Sequence, residues 1–172
     1  MKSPKSQTIF AFIVLSHLFV IAISDHVDPE AEKKEFLDLH NQVRQHAGED
    51  PLTWDEQLET YARNYAEKRK GDCNMVHSNG PFGENLFWGG GNQWTAGDAV
   101  KMWVREHRFY NKGTNQCQPG KMCGHYTQIV WRDTEHLGCA RVQCDNGDTF
   151  TTCNYGPPGN YPGEIPFNHY QH

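Results

Sequence analysis

The 172-residue sequence contains no Cys-x-x-Cys pair, no His-Glu-x-x-His and no Gly-x-Ser-x-Gly. Those absences remove the usual signatures of zinc fingers, zincin proteases and serine hydrolases. A strong basic surplus is missing too, since 16 Lys and Arg face 21 Asp and Glu. Phosphate backbones are bound by clustered positive charge, so nucleic acid is not an expected partner, and Lys68-Arg69-Lys70 reads as the cationic last turn of a helix. There is no internal repeat and no low-complexity tract. The longest apolar run, Ile9 to Ile23, falls short of the roughly 20 residues that span a bilayer and is broken by Ser16 and His17, so no transmembrane anchor is expected.

What the chain does have begins with that run. Lys2 and Lys5 precede it and Ala22-Ile23-Ser24 closes it, the pattern of a secretory signal peptide over residues 1–24. Residues 25–172 then form one domain, expected outside the cell as a monomer. Removing Lys2 and Lys5 leaves 14 cations against 21 acids, a formal charge near −7. All six cysteines lie in this part, an even number in an oxidising compartment, so three disulfides are expected. Cys117 and Cys123 flank a short Gly/Pro loop. Cys139 and Cys153 fall opposite each other if "DNGD" is a hairpin turn, which leaves Cys73 with Cys144.

Three helices are predicted. Asp28-Pro29 supplies a cap and a first-position proline before Phe36, His40, Val43 and Ala47, with Gly48 as the stop. Thr53 to Glu56, "TWDE", fits a capping box ahead of Leu58, Ala62 and Tyr65, with Gly71 past the end. Thr95 with Asp98 begins a third helix whose stripe runs Ala99, Met102, Trp103, Glu106 and Tyr110. Later the period changes. "LGCARVQC" and "TFTTCNY" around Asn146-Gly147 read as an antiparallel hairpin, and Asn85 to Trp88 as a brief strand. The tail from about residue 156, rich in Pro and Gly, reads as a disordered segment. The class is α+β, with helices on both faces of a three- or four-stranded sheet.

Glu106 breaks the pattern, because a carboxylate on an apolar stripe needs a partner. His125 poses the same question in "GHYTQIVW". His77 and Glu84 lie in a glycine-rich loop that lets backbone approach a site closely. The spacing among these four residues matches no compact metal motif.

Four motifs resolve the question. "HNQVR" at 40–44, "GENL" at 83–86, "GHYTQIVW" at 124–131 and "CNYGPPGNY" at 153–161 stand in an order that resembles the plant pathogenesis-related proteins of class one, a branch of the CAP superfamily of cysteine-rich secretory proteins. The resemblance implies a three-layer α-β-α sandwich and a central cleft lined by His77, Glu84, Glu106 and His125. It implies extracellular defence against microbes, in the apoplast, by binding sterols or other apolar ligands of pathogen membranes. Trp103, Phe109 and Tyr110 are candidate sterol contacts, with Phe87, Trp88 and Trp94 nearby. Two imidazoles can ligate Zn²⁺, so His77 and His125 are the expected ligands of a weakly held metal that the fold does not require. One alternative is metal-assisted hydrolysis with Glu84 or Glu106 as general base. Another is release of a signalling peptide from Pro157 to Phe167, although this segment ends Pro-Phe where the family has Pro-Tyr. His40, Asn41 and Arg44 share a helical turn and are assigned structural hydrogen bonds.

Overall fold

A computed structural model of the chain describes residues 28–167; the expected signal peptide, 1–24, and the tail histidines His169 and His172 lie outside them. Helix α1 runs Pro29–Ala47, α2 Glu56–Arg69, α3 Ala96–Val104 and α4 Gly124–Ile129, and a 3-10 turn, Arg105–Phe109, continues α3. The strands are β1 Thr53–Trp54, β2 Gly83–Gly89, β3 Tyr110–Asn111, β4 Gln116–Cys117, β5 His136–Gln143 and β6 Thr149–Gly156.

One sheet has the order β1-β5-β6-β2, with β1 parallel to β5 and the other pairs antiparallel. Strands β3 and β4 form a separate ribbon. Side chains alternate across a strand, so the sheet has two apolar faces. Phe87, Leu137, Cys139, Cys153 and Tyr155 share a core with Phe36 of α1, Val100 and Trp103 of α3 and Ile129 of α4. Leu86, Ala140 and Phe150 share another with Ala62 and Ala66 of α2. The result is the α-β-α sandwich of the α+β class that the sequence predicts. Gly138 lets α2 lie directly on β5, since a Cβ there would stand 2.1 Å from the Glu59 backbone nitrogen.

Asp28 caps α1 through the Glu30 N–H, and Gly48 ends it at φ 82°. The expected box at Thr53 is corrected: Thr53 and Trp54 pair with β5, and Asp55 is the cap, accepting from the Gln57 and Leu58 N–H groups. Aspartate ranks above threonine as a cap, and the β-forming Thr-Trp pair is free to add to the sheet. The α3 stripe is also shorter than predicted, because Met102 is 43% exposed and the helix tightens before Glu106. The three disulfides are Cys73–Cys144, Cys117–Cys123 and Cys139–Cys153.

Residues 157–167 form no helix or strand, as their prolines dictate, but the expectation of disorder is corrected. Arg132 donates from its backbone N–H to the Pro166 carbonyl at 2.7 Å and from Nη1 to the Ile165 carbonyl at 2.8 Å. Asn115 donates to the Glu164 carbonyl, and Phe167 is buried against Tyr110 and Tyr126. Side-chain donors supply the pairing that no strand provides.

Candidate functional site

Helix α4 is only six residues long and is held at both ends by side chains from elsewhere. Arg44, buried in α1, donates to the carbonyls of Asp50, Ile129, Trp131 and Thr134 at 2.5 to 3.0 Å. Four acceptors satisfy a guanidinium that burial would otherwise penalise. Asn41, one turn back, exchanges bonds with both backbone groups of Leu52. At the other end of α4, Glu106 Oε2 accepts from the backbone N–H groups of His125 and Tyr126 at 2.9 and 3.3 Å. A helix start leaves such donors open, and here a carboxylate from the 3-10 turn closes them.

The same carboxylate takes the His125 ring: Nδ1 lies 2.7 Å from Glu106 Oε1. Trp103 precedes Glu106 by three residues, one turn of the tightening helix, so both reach His125. The indole lies nearly parallel to the imidazole, with centroids 6.2 Å apart. His77 and Glu84 repeat the arrangement, with Nδ1 2.8 Å from Oε1, which also accepts from the Ser78 N–H at 2.9 Å. Glu84 is nearly buried while the His77 side chain is 60% exposed. A carboxylate only accepts, so each Nδ1 carries a proton and donates it to the acid beside it.

Edge strand β2 stands between the two pairs. Glu84 belongs by alternation to the side of Leu86 and α2, whereas Asn85 belongs to the side of Phe87 and α4. Asn85 Nδ2 donates to the His125 carbonyl and to the Tyr155 hydroxyl oxygen, both at 3.0 Å. Tyr155 lies 2.8 Å from His40 Nε2, and His40 Nδ1 lies 2.7 Å from the Phe36 carbonyl. The carbonyl fixes Nδ1 as a donor, so Nε2 accepts from the Tyr155 O–H and the whole chain has one direction. Burial drives the His40 pKa down to about 4, with the Arg44 charge acting the same way and the Phe36 bond opposing. Burial likewise raises the Tyr155 phenol well above its usual value. Both groups are held neutral.

The four residues expected in one cleft are thus seen as two His–carboxylate pairs joined through Asn85. Among the described residues, no three His, Cys, Asp or Glu side chains gather in a geometry that could hold a metal ion. Asn85 and Tyr155 had no chemical part in the sequence reading, although they lie in the GENL and CNYGPPGNY motifs. Of the candidate sterol contacts, Trp103 is corrected. It is 2% exposed and its indole N–H donates to the Leu86 carbonyl, so it offers a ligand no surface. Phe109 lies under Arg108 and Lys121, and the Tyr110 hydroxyl donates to Asn115.

An apolar furrow of about 260 Å³ does open elsewhere, between Leu39 and Val43 of α1 and Val100 and Val104 of α3, with Lys101 and Arg105 at its rim. A hollow of about 410 Å³ adjoins it along α1, sharing Leu39, Gln42 and Lys101. The i, i+4 spacing within each helix was the signal available for it.

The model of the cysteine-rich secretory protein family, CAP, matches residues 37–155. The chain belongs to the CAP family. Pathogenesis-related protein 1C of Nicotiana tabacum is 48% identical to it, over 94% of this chain and 96% of its own. A pathogenesis-related protein of PR-1 type from Sambucus nigra is 53% identical, over 78% of this chain and 81% of its own. Within the CAP family this chain therefore stands on the pathogenesis-related protein 1 branch. The crystal structure of NaASP2 with Zn²⁺ has the same fold, with a TM-score of 0.68 and 25% identity over 84% of this chain and 88% of that one.

Proposed function

We propose that this CAP protein is a secreted plant defence protein that captures an apolar lipid, with sterols of microbial membranes as the expected class. The furrow between α1 and α3 carries the proposal, because Leu39, Val43 and Val104 are partly exposed along it, beside a buried Val100, and two cations line it as well. At about 260 Å³ it lies just below the roughly 300 Å³ at which ligand pockets usually begin, so an elongated ligand would extend into the adjoining hollow. Similarity to pathogenesis-related proteins supports the defence role. The three disulfides suit an oxidising, extracellular compartment.

Uptake of labelled sterol by the oxidised protein tests this reading. Stoichiometric binding, insensitive to a chelator and weakened at least tenfold in a Leu39→Gln, Val104→Gln variant, is the expected result. Unchanged affinity in that variant would remove the furrow from the proposal.

Metal-assisted hydrolysis is a second reading, favoured by the two His–carboxylate pairs, His77–Glu84 and His125–Glu106, and by the Zn²⁺ in NaASP2. Zinc would supply a Lewis acid and an activated water when bound. The described residues form no committed cage for it, so no step is drawn through the metal and no catalytic residue is assigned. Turnover of a substrate that a chelator and a His77→Ala, His125→Ala variant both abolish would favour hydrolysis over capture.

A further inference from the structure

We propose that the segment from Lys101 to Lys121 is a membrane-docking face, whose exposed cations engage the anionic headgroups of a lipid bilayer. The whole chain is acidic, with a formal charge of −5. Yet Lys101, Arg105, Arg108, Lys112 and Lys121 are all exposed, and none of the ion pairs among the described residues includes them. Elsewhere cations are mostly neutralised in place, as in Lys34–Asp38, Arg63–Glu59, Arg69–Asp72 and Arg141–Glu32.

The acids nearest in sequence have other partners. Glu106, the single acid between residues 101 and 121, is taken by His125 and Tyr126. Asp98, three residues before Lys101, closes the capping box with Thr95, although the Lys101 charge acts on it too, and Glu35 and Asp38 share a hollow with Lys101. The cations are grouped. Lys101 and Arg105 line one furrow, Arg108 and Lys121 lie 4.9 and 5.1 Å from the centre of the same Phe109 ring, and Lys112 lies 4.1 Å from the centre of the Phe167 ring.

Exposed apolar groups set a bilayer apart from a soluble polyanion. Met102 and Met122 are 43% and 69% exposed, each next to a lysine of the face, and the Met102 sulfur lies 3.2 Å from Arg105 Nη1. Charge alone would serve a polyanion; side chains that enter the acyl boundary beside cations that meet headgroups are the mixture that interfacial segments use. The furrow opens on this same face. The purpose of docking rests on the capture reading, because it would set the channel against its lipid source, but the docking itself rests on the charge distribution.

Flotation of the folded, secreted chain with phosphatidylcholine vesicles, with and without about a third phosphatidylserine, tests the proposal. Binding is expected for the anionic vesicles alone, with release at about 1 M salt, where screening acts within about 3 Å. The Arg108→Gln, Lys112→Gln, Lys121→Gln variant should bind at least tenfold more weakly while keeping the parent's thermal midpoint. A Met102→Ser, Met122→Ser variant should bind several-fold more weakly. Equal binding to neutral vesicles, or parental binding by the three-cation variant, would overturn the proposal. So would polygalacturonate binding as tight as vesicle binding and indifferent to the methionines, which would mark a polyanion site. Uptake of detergent-dispersed sterol separates the two readings: the three-cation variant should keep it, and its absence in the parent would sink capture while leaving docking in place.

Discussion

Glu106 receives both the ring N–H and the backbone N–H of His125, at 2.7 and 2.9 Å. One carboxylate therefore orients the imidazole and closes the start of α4. Glu84 does the same for the His77 ring and the Ser78 N–H. In both pairs the acid sits deeper than the histidine, by a wide margin for Glu84 and a small one for Glu106.

Replacing Glu106 with Gln should separate these duties. An amide has one accepting oxygen where the carboxylate has two, so a donor at α4 loses its partner. A loss on the order of 2 kcal/mol in urea unfolding is expected. Nitrogen chemical shifts of the His125 ring should show that the proton is no longer fixed on Nδ1. An unchanged tautomer would mean that the Trp103 stack alone positions the ring.

His40 makes stability fall with acid. Its folded pKa is about 4 against an ordinary 6.5, so below pH 6.5 the unfolded chain binds a proton that the folded chain refuses. Its contribution is complete above pH 6.5 and is lost progressively down to about pH 4, by on the order of 3 kcal/mol. Urea midpoints measured from pH 7 to pH 4 should drop in the parent, and a His40→Gln variant should show a shallower slope. Equal slopes would place the acid sensitivity elsewhere.

The disulfides should rank by the loops they close. Cys73–Cys144 spans 71 residues, Cys139–Cys153 spans 14 and Cys117–Cys123 only 6. Loop entropy gives about 4, 3 and 2 kcal/mol respectively. Alanine pairs at each bridge, compared by denaturant midpoint, should follow that order.

Gly138→Ala should be more damaging than a single methyl suggests. The new Cβ meets the α2 backbone, at the Glu59 nitrogen and the Leu58 carbonyl carbon, and backbone cannot swing aside as a side chain can. A loss of 3 kcal/mol or more is expected, at the upper end of overpacking costs. A melting temperature within a degree or two of the parent's would show that α2 rides freely on β5.

Helix α1 was legible because its cap, its proline and its stop are all local. So was the hairpin, since Asn146-Gly147 fixes the register that sets Cys139 opposite Cys153. Strand β1 was not, because two residues carry no period and "TWDE" satisfies a capping pattern whose better cap stands two places on. Glu106 announced itself as an acid on an apolar stripe, but the partner 19 residues away was reached by resemblance. Asn85 and Tyr155 stayed hidden, because a buried chain of neutral polar groups leaves no periodicity and no net charge to read.

The stitched tail changes what a cut after Gly156 could accomplish. Pro157 O accepts from Thr134, Gly159 N–H donates to Gln128, Asn160 bonds Thr127 and Gly124, and Phe167 is buried. A nicked molecule would keep the fragment berthed through these grips, and its departure would wait on Phe167 leaving its seat. Any message carried by the fragment would thus be metered by local opening and not by the protease alone.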